Sequence, residues 1–469
     1  MLVKPFVDQD LGNSSYLVAS EVTGRALVID PQRDVDRYLQ AAEGLGLRLV
    51  YALDTHLHAD FLSGGRELLA ALPRLAFGAS AEAGLEFGHM PLGEGSKLRL
   101  GDLTIGVLST PGHSPDHLTY TLTPEGATAP AAIFSGGALI VGGAARTDLL
   151  GHERTEPLAR QLYHTFQKKL LPLPDGVVVY PTHGAGSFCA VPQEPERTTT
   201  IGRERRENPL ARAGSEEEFV RLVLSDLGSY PTYYRFMRRL NQLGPPLLSE
   251  LPARAPLSPE EVGQAMKEGV WVVDTRPPLE FAAGHIPGST GIPLDAPLAT
   301  WAGWVIPFLD PIVLVAAGEK EREAAMRQLF RIGYDDVRGF LAGGIGAWEA
   351  AGLPLAEVPV LSPRDVHRRL AAGEELTVLD VRQESEWLEG HIRGATHIEA
   401  GRLPAATSLP FDPDQPIVVQ CAVGDRSTVA ISLLEQRGYH NVSLLEGGLN
   451  RWEARGLPLV SGPESQDRA

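Results

Sequence analysis

Three short segments carry the imidazoles and carboxylates that a transition-metal site needs. The first is Thr55-His56-Leu57-His58-Ala59-Asp60, which follows an apolar run from Leu49 to Leu53 that reads as a buried strand. Two histidines at i and i+2, then an aspartate at i+4, place three ligand-type side chains in one loop, and iron and zinc both take such ligands. The second segment is Ser109-Thr110-Pro111-Gly112-His113-Ser114, and the third is Tyr180-Pro181-Thr182-His183-Gly184. Each again follows an apolar run. A single loop histidine signifies little, but three such loops at strand ends predict one shared site.

A different chemistry is written near the end of the chain. The apolar run Pro416 to Gln420 leads into Cys421-Ala422-Val423-Gly424-Asp425-Arg426, and a helix follows. Backbone N–H groups of such a loop curl around the sulfur, and the helix N-terminus adds positive potential, which together favour thiolate. Arg426 supplies a cation suited to an oxyanion such as sulfite or thiosulfate. Cys421 and Arg426 are therefore the expected catalytic pair, with Ala422, Val423, Gly424 and Asp425 as the substrate-binding cradle. Cys189 has no cationic neighbour and no clear helix start, and reads as an inert thiol.

The elements that must position these groups are legible in outline. Residues 2–30 read as an antiparallel meander opening a sheet, and 34–45 as a helix ending at Gly46. Residues 98–109 read as a hairpin turning at Gly101-Asp102, whose second arm delivers His113. The charged stretch 194–212 reads as a solvated segment, and 216–227 and 233–243 as helices. Gly244-Pro245-Pro246 and the Pro-rich stretch 252–259 mark a boundary near 250. Beyond it lies an internal repeat. Asp274-Thr-Arg276, Glu280, Gly284-His285-Ile286 and Gly343-Gly344 with Trp348 match Asp380-Val-Arg382, Glu386, Gly390-His391-Ile392 and Gly447-Gly448 with Trp452. Alternating strands and helices imply a parallel sheet with helices on both faces. In the first copy Ala316 stands where the second has Cys421, and Glu321 where it has Arg426, so that copy is expected to be catalytically silent.

The 469 residues predict about three domains. With 42 basic and 59 acidic side chains the net charge is −17, which argues against nucleic acid. Two distant cysteines fit a reducing compartment, and neither a signal peptide nor a membrane span is evident, so the expectation is a cytoplasmic protein without a membrane partner.

The loops Thr55 to Asp60, Thr110 to His113 and Pro181 to Gly184, in that order, resemble the metallo-β-lactamase superfamily. With Ala145-Arg146-Thr147-Asp148 they resemble its persulfide dioxygenases. The repeat, with its D-x-R, E-(F/W)-x-x-G-H-I and G-G-x-x-x-W signatures, resembles rhodanese domains. The resemblance implies an α/β multidomain chain: a metallo-β-lactamase αββα sandwich followed by two rhodanese-like α/β domains with parallel sheets. The expected domains are 1–250, 251–358 (silent), 359–462 (active Cys) and a tail at 463–469. It implies one Fe(II), with zinc as the other candidate, held by His56 and His113. The third family ligand is an aspartate of an F-(S/T)-G-D motif. Here the segment reads Phe134-Ser135-Gly136-Gly137, and Phe61 replaces the histidine that often follows Asp60. Three outcomes stand open: His58 as the third metal ligand, or water in the gap; an empty site; or Gly137 as an introduced substitution in an active enzyme. Asp60, His183 and Asp148 are expected to support these ligands or to hold a second metal; Arg146 is expected to bind substrate or, paired with Asp148, to brace the site.

What the resemblance implies is oxidation by O2 of a low-molecular-weight persulfide, of glutathione or a similar thiol, to sulfite. Sulfur transfer through Cys421 then gives thiosulfate. Two alternatives stand beside it: a thioester hydrolase of the glyoxalase II kind, and a non-catalytic first domain serving as scaffold for a working rhodanese. A homo-oligomer is compatible with either.

Overall fold

Alternation along the opening strands sets the layering of the first half. In the strand Asn13–Ala19, Tyr16 and Val18 enter one apolar cluster while Leu17 and Ala19 enter another, as the two faces of a pleated strand require. Both faces are covered. The computed structural model describes residues 1–191, 194–225 and 227–462, so the tail expected at 463–469 lies outside the described residues. The chain divides into two compact units. One comprises Met1–Leu251 with Phe330–Gly333, and the other Pro252–Leu329 and the chain from Tyr334 onward.

The first unit contains two six-stranded sheets. One runs in sequence order from Leu2–Asp8 to Met90–Leu92, antiparallel at its start and parallel from Arg25–Ile29 onward. The other is largely antiparallel and is centred on Ala132–Gly136 and Leu118–Pro124. The cluster of Tyr16, Val18, Leu27, Ile105, Val107, Tyr120 and Phe134 fills the space between the sheets. Helix residues Tyr38, Ala42 and Leu68 cover the outside of the first sheet. Leu162, Phe166 and Phe219 cover the outside of the second. This is the αββα sandwich.

Two expectations change here. The stretch 194–212 is not merely solvated: it contains the helix Ile201–Glu207, capped by Thr200 Oγ1. Glu204 of that helix is buried, accepting hydrogen bonds from the Gly142 N–H at 3.0 Å and Asn208 Nδ2 at 2.8 Å. The helix expected over 216–227 is present as Glu216–Leu224, and residue 226 lies outside the described residues.

The second unit contains two five-stranded parallel sheets with one topology. The central strands of the copies are Ile312–Val315 and Ile417–Gln420, both buried throughout. The copies pack against one another. Helix Leu298–Val305 of the first copy is buried at every position. Its Trp304 ring lies so close to Gly401 that a Cβ there would stand 2.7 Å from Cε3. Ser432 Oγ accepts from the Gly291 N–H at 2.8 Å, and His285 Nε2 lies 3.0 Å from Glu435 Oε2. No helix among the described residues is long and apolar enough to cross a membrane.

The Trp304 contact carries a stability consequence. Trp304→Ala should lower the stability of the C-terminal unit by about 3 kcal/mol, the usual cost of emptying a buried tryptophan site. Hydrogen exchange along the strands Ile312–Val315 and Ile417–Gln420 checks this, and both copies should lose protection together.

Candidate functional site

In the first unit five imidazoles gather at the edge of the sandwich. His56, His58, His113, His117 and His183 are each no more than 3% exposed. The His56 ring lies 4.2 Å from that of His58, 4.8 Å from His113, 4.9 Å from His117 and 5.4 Å from His183. Nε2 of His56 and Nε2 of His183 are 3.4 Å apart. Two nitrogen ligands on one tetrahedral ion, each at 2.0–2.1 Å, would stand about 3.3 Å apart.

Polar neighbours fix the orientation of each ring. His113 Nδ1 lies 2.6 Å from the Arg146 carbonyl, and His183 Nδ1 lies 3.0 Å from Asn13 Oδ1. Asn13 in turn donates to Asp60 Oδ2 at 2.9 Å. Such outer partners are typical of metal-ligating histidines, because they turn the other nitrogen toward the ion. Charge follows burial and pairing. Burial and the neighbouring imidazoles push the pKa of His56 and His117 well below the ordinary value, and that of His113 down to about 3. These rings are neutral and in their ligating form. Burial also opposes charge on His58, but Asp30, with Oδ1 3.3 Å from Nε2, overrides it and raises the pKa. Burial raises Asp54 to about 7. Burial also opposes charge on Asp60, yet His183 and Asn13 hold it down to about 2.

Position 137 is closed to a carboxylate. The Gly137 N–H donates to His117 Nε2 at 3.0 Å, while His117 Nδ1 lies 2.9 Å from Thr110 Oγ1. Both nitrogens of that ring are spent. A Cβ at 137 would stand 2.6 Å from His113 Cδ2 and 2.9 Å from the Ala145 Cβ. Asp30 is engaged at both oxygens, whereas Asn13 and His183 both meet Asp60 at Oδ2. Asp30 is held by Thr55, Thr182 and His58, and Asp60 by Asn13 and His183. The residues present do not fit an Fe(II) triad of two histidines and one carboxylate. A dinuclear hydrolytic site fits no better. Phe61 is fully buried and stacked on His58 at 4.0 Å, where that site needs a further ligand.

The ligand atoms fall instead into three close groups among the described residues: His56, His58 and His183; His113, His183 and Cys189; and Asp30, Asp54 and His58. His56, His58 and His113 therefore do not form the expected three-histidine face, because His58 turns toward Asp30 and Asp54. His183 is the shared member of two groups. Arg146, expected to bind substrate or to brace the site, is a brace. It donates to Asp148 at 2.7 and 2.8 Å and to the carbonyls of Phe188 and Gly228, and its guanidinium lies over the Tyr230 ring.

Beside His113 lies a cavity of about 190 Å³, walled by Leu57, Ala59 and Tyr234 and rimmed by Arg235, Arg238 and Arg239. Arg238 Nη1 lies 2.6 Å from Asp116 Oδ1, and the other oxygen of Asp116 accepts from the Leu57 N–H, so the rim is tied to the histidine loop. The sequence signals this only as the run Arg235-Phe-Met-Arg-Arg239 on an amphipathic helix. Asn13, Asp30 and His117 were also missed, since their roles arise from contacts far along the chain.

In the second unit the Cys421 loop has the expected form. Sγ accepts from the Gly424 N–H at 3.1 Å, and helix Asp425–Gln436 begins immediately after. The back of the loop is clamped: Leu449 N–H donates to the Cys421 carbonyl at 2.7 Å and Asn450 N–H to that of Ala422 at 3.0 Å. Gly448 makes this approach feasible. Its φ is +57°, and a Cβ would stand 2.4 Å from the Cys421 oxygen. Val423 is half exposed at the loop tip. Arg426 is held by Glu386, with nitrogen–oxygen distances of 2.5 and 2.7 Å. Burial opposes the charge of Arg426, but this carboxylate keeps the group protonated. Asp380 grips Arg382, which also donates to the Glu386 and Gly390 carbonyls and so fixes the helix bearing Glu386. In the other copy Ala316 offers no sulfur, and Arg322 stacks over Phe340 at 3.9 Å.

Comparison with known proteins places these features. The family profile of the Rhodanese-like domain matches residues 258–351 and 362–455. The mitochondrial persulfide dioxygenase ETHE1 of Mus musculus is 31% identical over 210 residues, covering 45% of this chain and 75% of that protein. The Homo sapiens protein of the same name gives the same identity and coverage. The crystal structure of a metallo-β-lactamase from Staphylococcus aureus subsp. aureus COL superposes with a TM-score of 0.64 at 30% identity, covering 73% of this chain and 98% of that one.

Two substitutions test these geometries. Gly137→Asp alone should not build an iron centre: iron content by elemental analysis stays well below one per chain, and thermal stability falls because His113 must move. Gly448→Ala should abolish reactivity at Cys421 while far-UV circular dichroism stays unchanged.

Proposed function

We propose, since this chain belongs to the persulfide dioxygenase family of metallo-β-lactamase-fold proteins and carries two rhodanese-like domains behind that fold, that it is a sulfurtransferase of sulfane-sulfur metabolism acting through Cys421. The observation that carries the reading is the N–H of Gly424 aimed at Sγ of Cys421 at the head of a twelve-residue helix. Backbone dipoles so arranged stabilise negative charge on the reacting sulfur.

The transfer runs in two balanced steps. The Cys421 thiolate attacks the outer sulfur of thiosulfate or of a low-molecular-weight persulfide. The S–S bond breaks, and sulfite or the carrier thiolate leaves with the electron pair. Cys421 now carries the sulfur as a persulfide within the loop. Sulfite then attacks the outer sulfur, thiosulfate departs and the thiolate returns. No external oxidant or reductant is consumed. Arg426, positioned by Glu386, supplies the positive potential that draws the oxyanion to the loop mouth.

In this reading the first unit receives the small persulfide. Its arginine-rimmed cavity suits a thiol carrier bearing carboxylates, such as glutathione, with the apolar wall of Leu57, Ala59 and Tyr234 against the sulfur end. The family's dioxygenase step requires a carboxylate ligand that position 137 does not provide, so no oxidation is assigned to this chain. The alternative favoured by the geometry is the scaffold: a first unit that binds persulfide for a working rhodanese domain.

Thiosulfate:cyanide sulfurtransferase assay is the direct test. Cys421→Ser should remove the activity entirely, and activity surviving in that variant would exclude the proposal. Arg235→Glu should weaken binding of S-methylglutathione, measured by calorimetry, by roughly tenfold through reversal of one rim charge. It should leave thiosulfate:cyanide transfer unaltered.

A further inference from the structure

Cys189 is the only other thiol of the chain, and the function above does not use it. It is fully buried at the end of the loop that follows His183. Its sulfur and one nitrogen each of His113 and His183 lie within 4.8 Å of one another. The backbone holds it there. The Cys189 carbonyl accepts from the Arg146 N–H at 2.9 Å, and its own N–H donates to Ser187 Oγ at 3.2 Å. Arg146 is also the residue whose carbonyl orients His113. One short segment therefore positions both the sulfur and a nitrogen of the trio.

We propose that His113, His183 and Cys189 form a nitrogen–sulfur site for a zinc-type ion, in which the Cys189 thiolate takes the anionic role that position 137 can no longer fill. Three observations converge on it. Nδ1 of each histidine is engaged by an oxygen, of Arg146 or of Asn13, which leaves Nε2 as the nitrogen for an ion. His56 Nε2 stands 3.4 Å from His183 Nε2, at the separation of two donors on one ion, and places a fourth donor, a third nitrogen, at the edge of the trio. Gly137 and His117 shut out a carboxylate on the opposite side. Thiolate and imidazole donors select zinc over the harder Fe(II), which favours carboxylate oxygen in such sites. On binding, the thiol releases its proton and the Sγ lone pair bonds to the metal. The sulfur is not oxidised.

The test uses the full-length chain with Cys421→Ser, so that Cys189 is the sole thiol. Stripped of metal and titrated with Co(II), it should bind one equivalent and show a thiolate-to-cobalt charge-transfer band in the near ultraviolet, which zinc then displaces. Cobalt binding without that band, or no binding, overturns the proposal. Adding Cys189→Ser should abolish the band and weaken zinc binding on the order of 100-fold, since even outer partners of a metal ligand contribute 10–100-fold. Unchanged zinc affinity overturns it. If the double variant does not fold, the cobalt spectrum of the Cys421→Ser chain decides alone. Sulfur transfer by the unaltered chain is read separately, so failure of this site leaves the Cys421 mechanism intact.

Discussion

Burial of ionisable groups is the constraint from which the first unit follows. Five imidazoles share one region from which solvent is nearly excluded, and a charge there survives only opposite another charge. His58 has Asp30 as its partner and gains a proton readily. His56, His113 and His117 have mainly one another, and stay neutral. A pocket of neutral imidazoles is a set of metal donors with no anion among them. Cys189, beside His113 and His183, can supply a negative charge on metal binding.

The second unit obeys a different constraint, the close approach of two backbones. The left-handed pair Gly447-Gly448 lets the start of one helix hydrogen-bond the carbonyls of Cys421 and Ala422. The loop is thereby held with the Gly424 N–H facing the sulfur. The silent copy retains the paired glycines, and a Cβ at Gly344 would find its nearest neighbour, the Ala316 oxygen, at 3.5 Å. What it offers the fold lies elsewhere, in the helix Leu298–Val305 buried against its sibling. One copy carries the cysteine loop, and the other contributes the buried helix that packs against it.

Much of this was legible in the residues, and the failures share a cause. Histidine loops, the repeat and the cysteine loop are local patterns, and each stands where its spacing placed it. His117 was unreadable because its partners, Thr110 and the Gly137 N–H, meet it only across the sheet. Glu204 looked solvated because the Gly142 N–H that satisfies it lies 62 positions away. For Arg146 the sequence left substrate binding and a brace with Asp148 open, and two distant carbonyls complete the brace. Cys189 was judged by its sequence neighbours, none of them cationic, whereas it lies beside His183 of its own loop and His113 of another.

With glycine at 137, the buried histidine pocket offers an ion nitrogen and sulfur donors, His113, His183 and Cys189. X-ray absorption at the zinc edge of the zinc-loaded Cys421→Ser protein tests it most directly. The account predicts a single sulfur scatterer at about 2.3 Å beside nitrogen scatterers at about 2.0 Å. A shell of nitrogen and oxygen alone would contradict it.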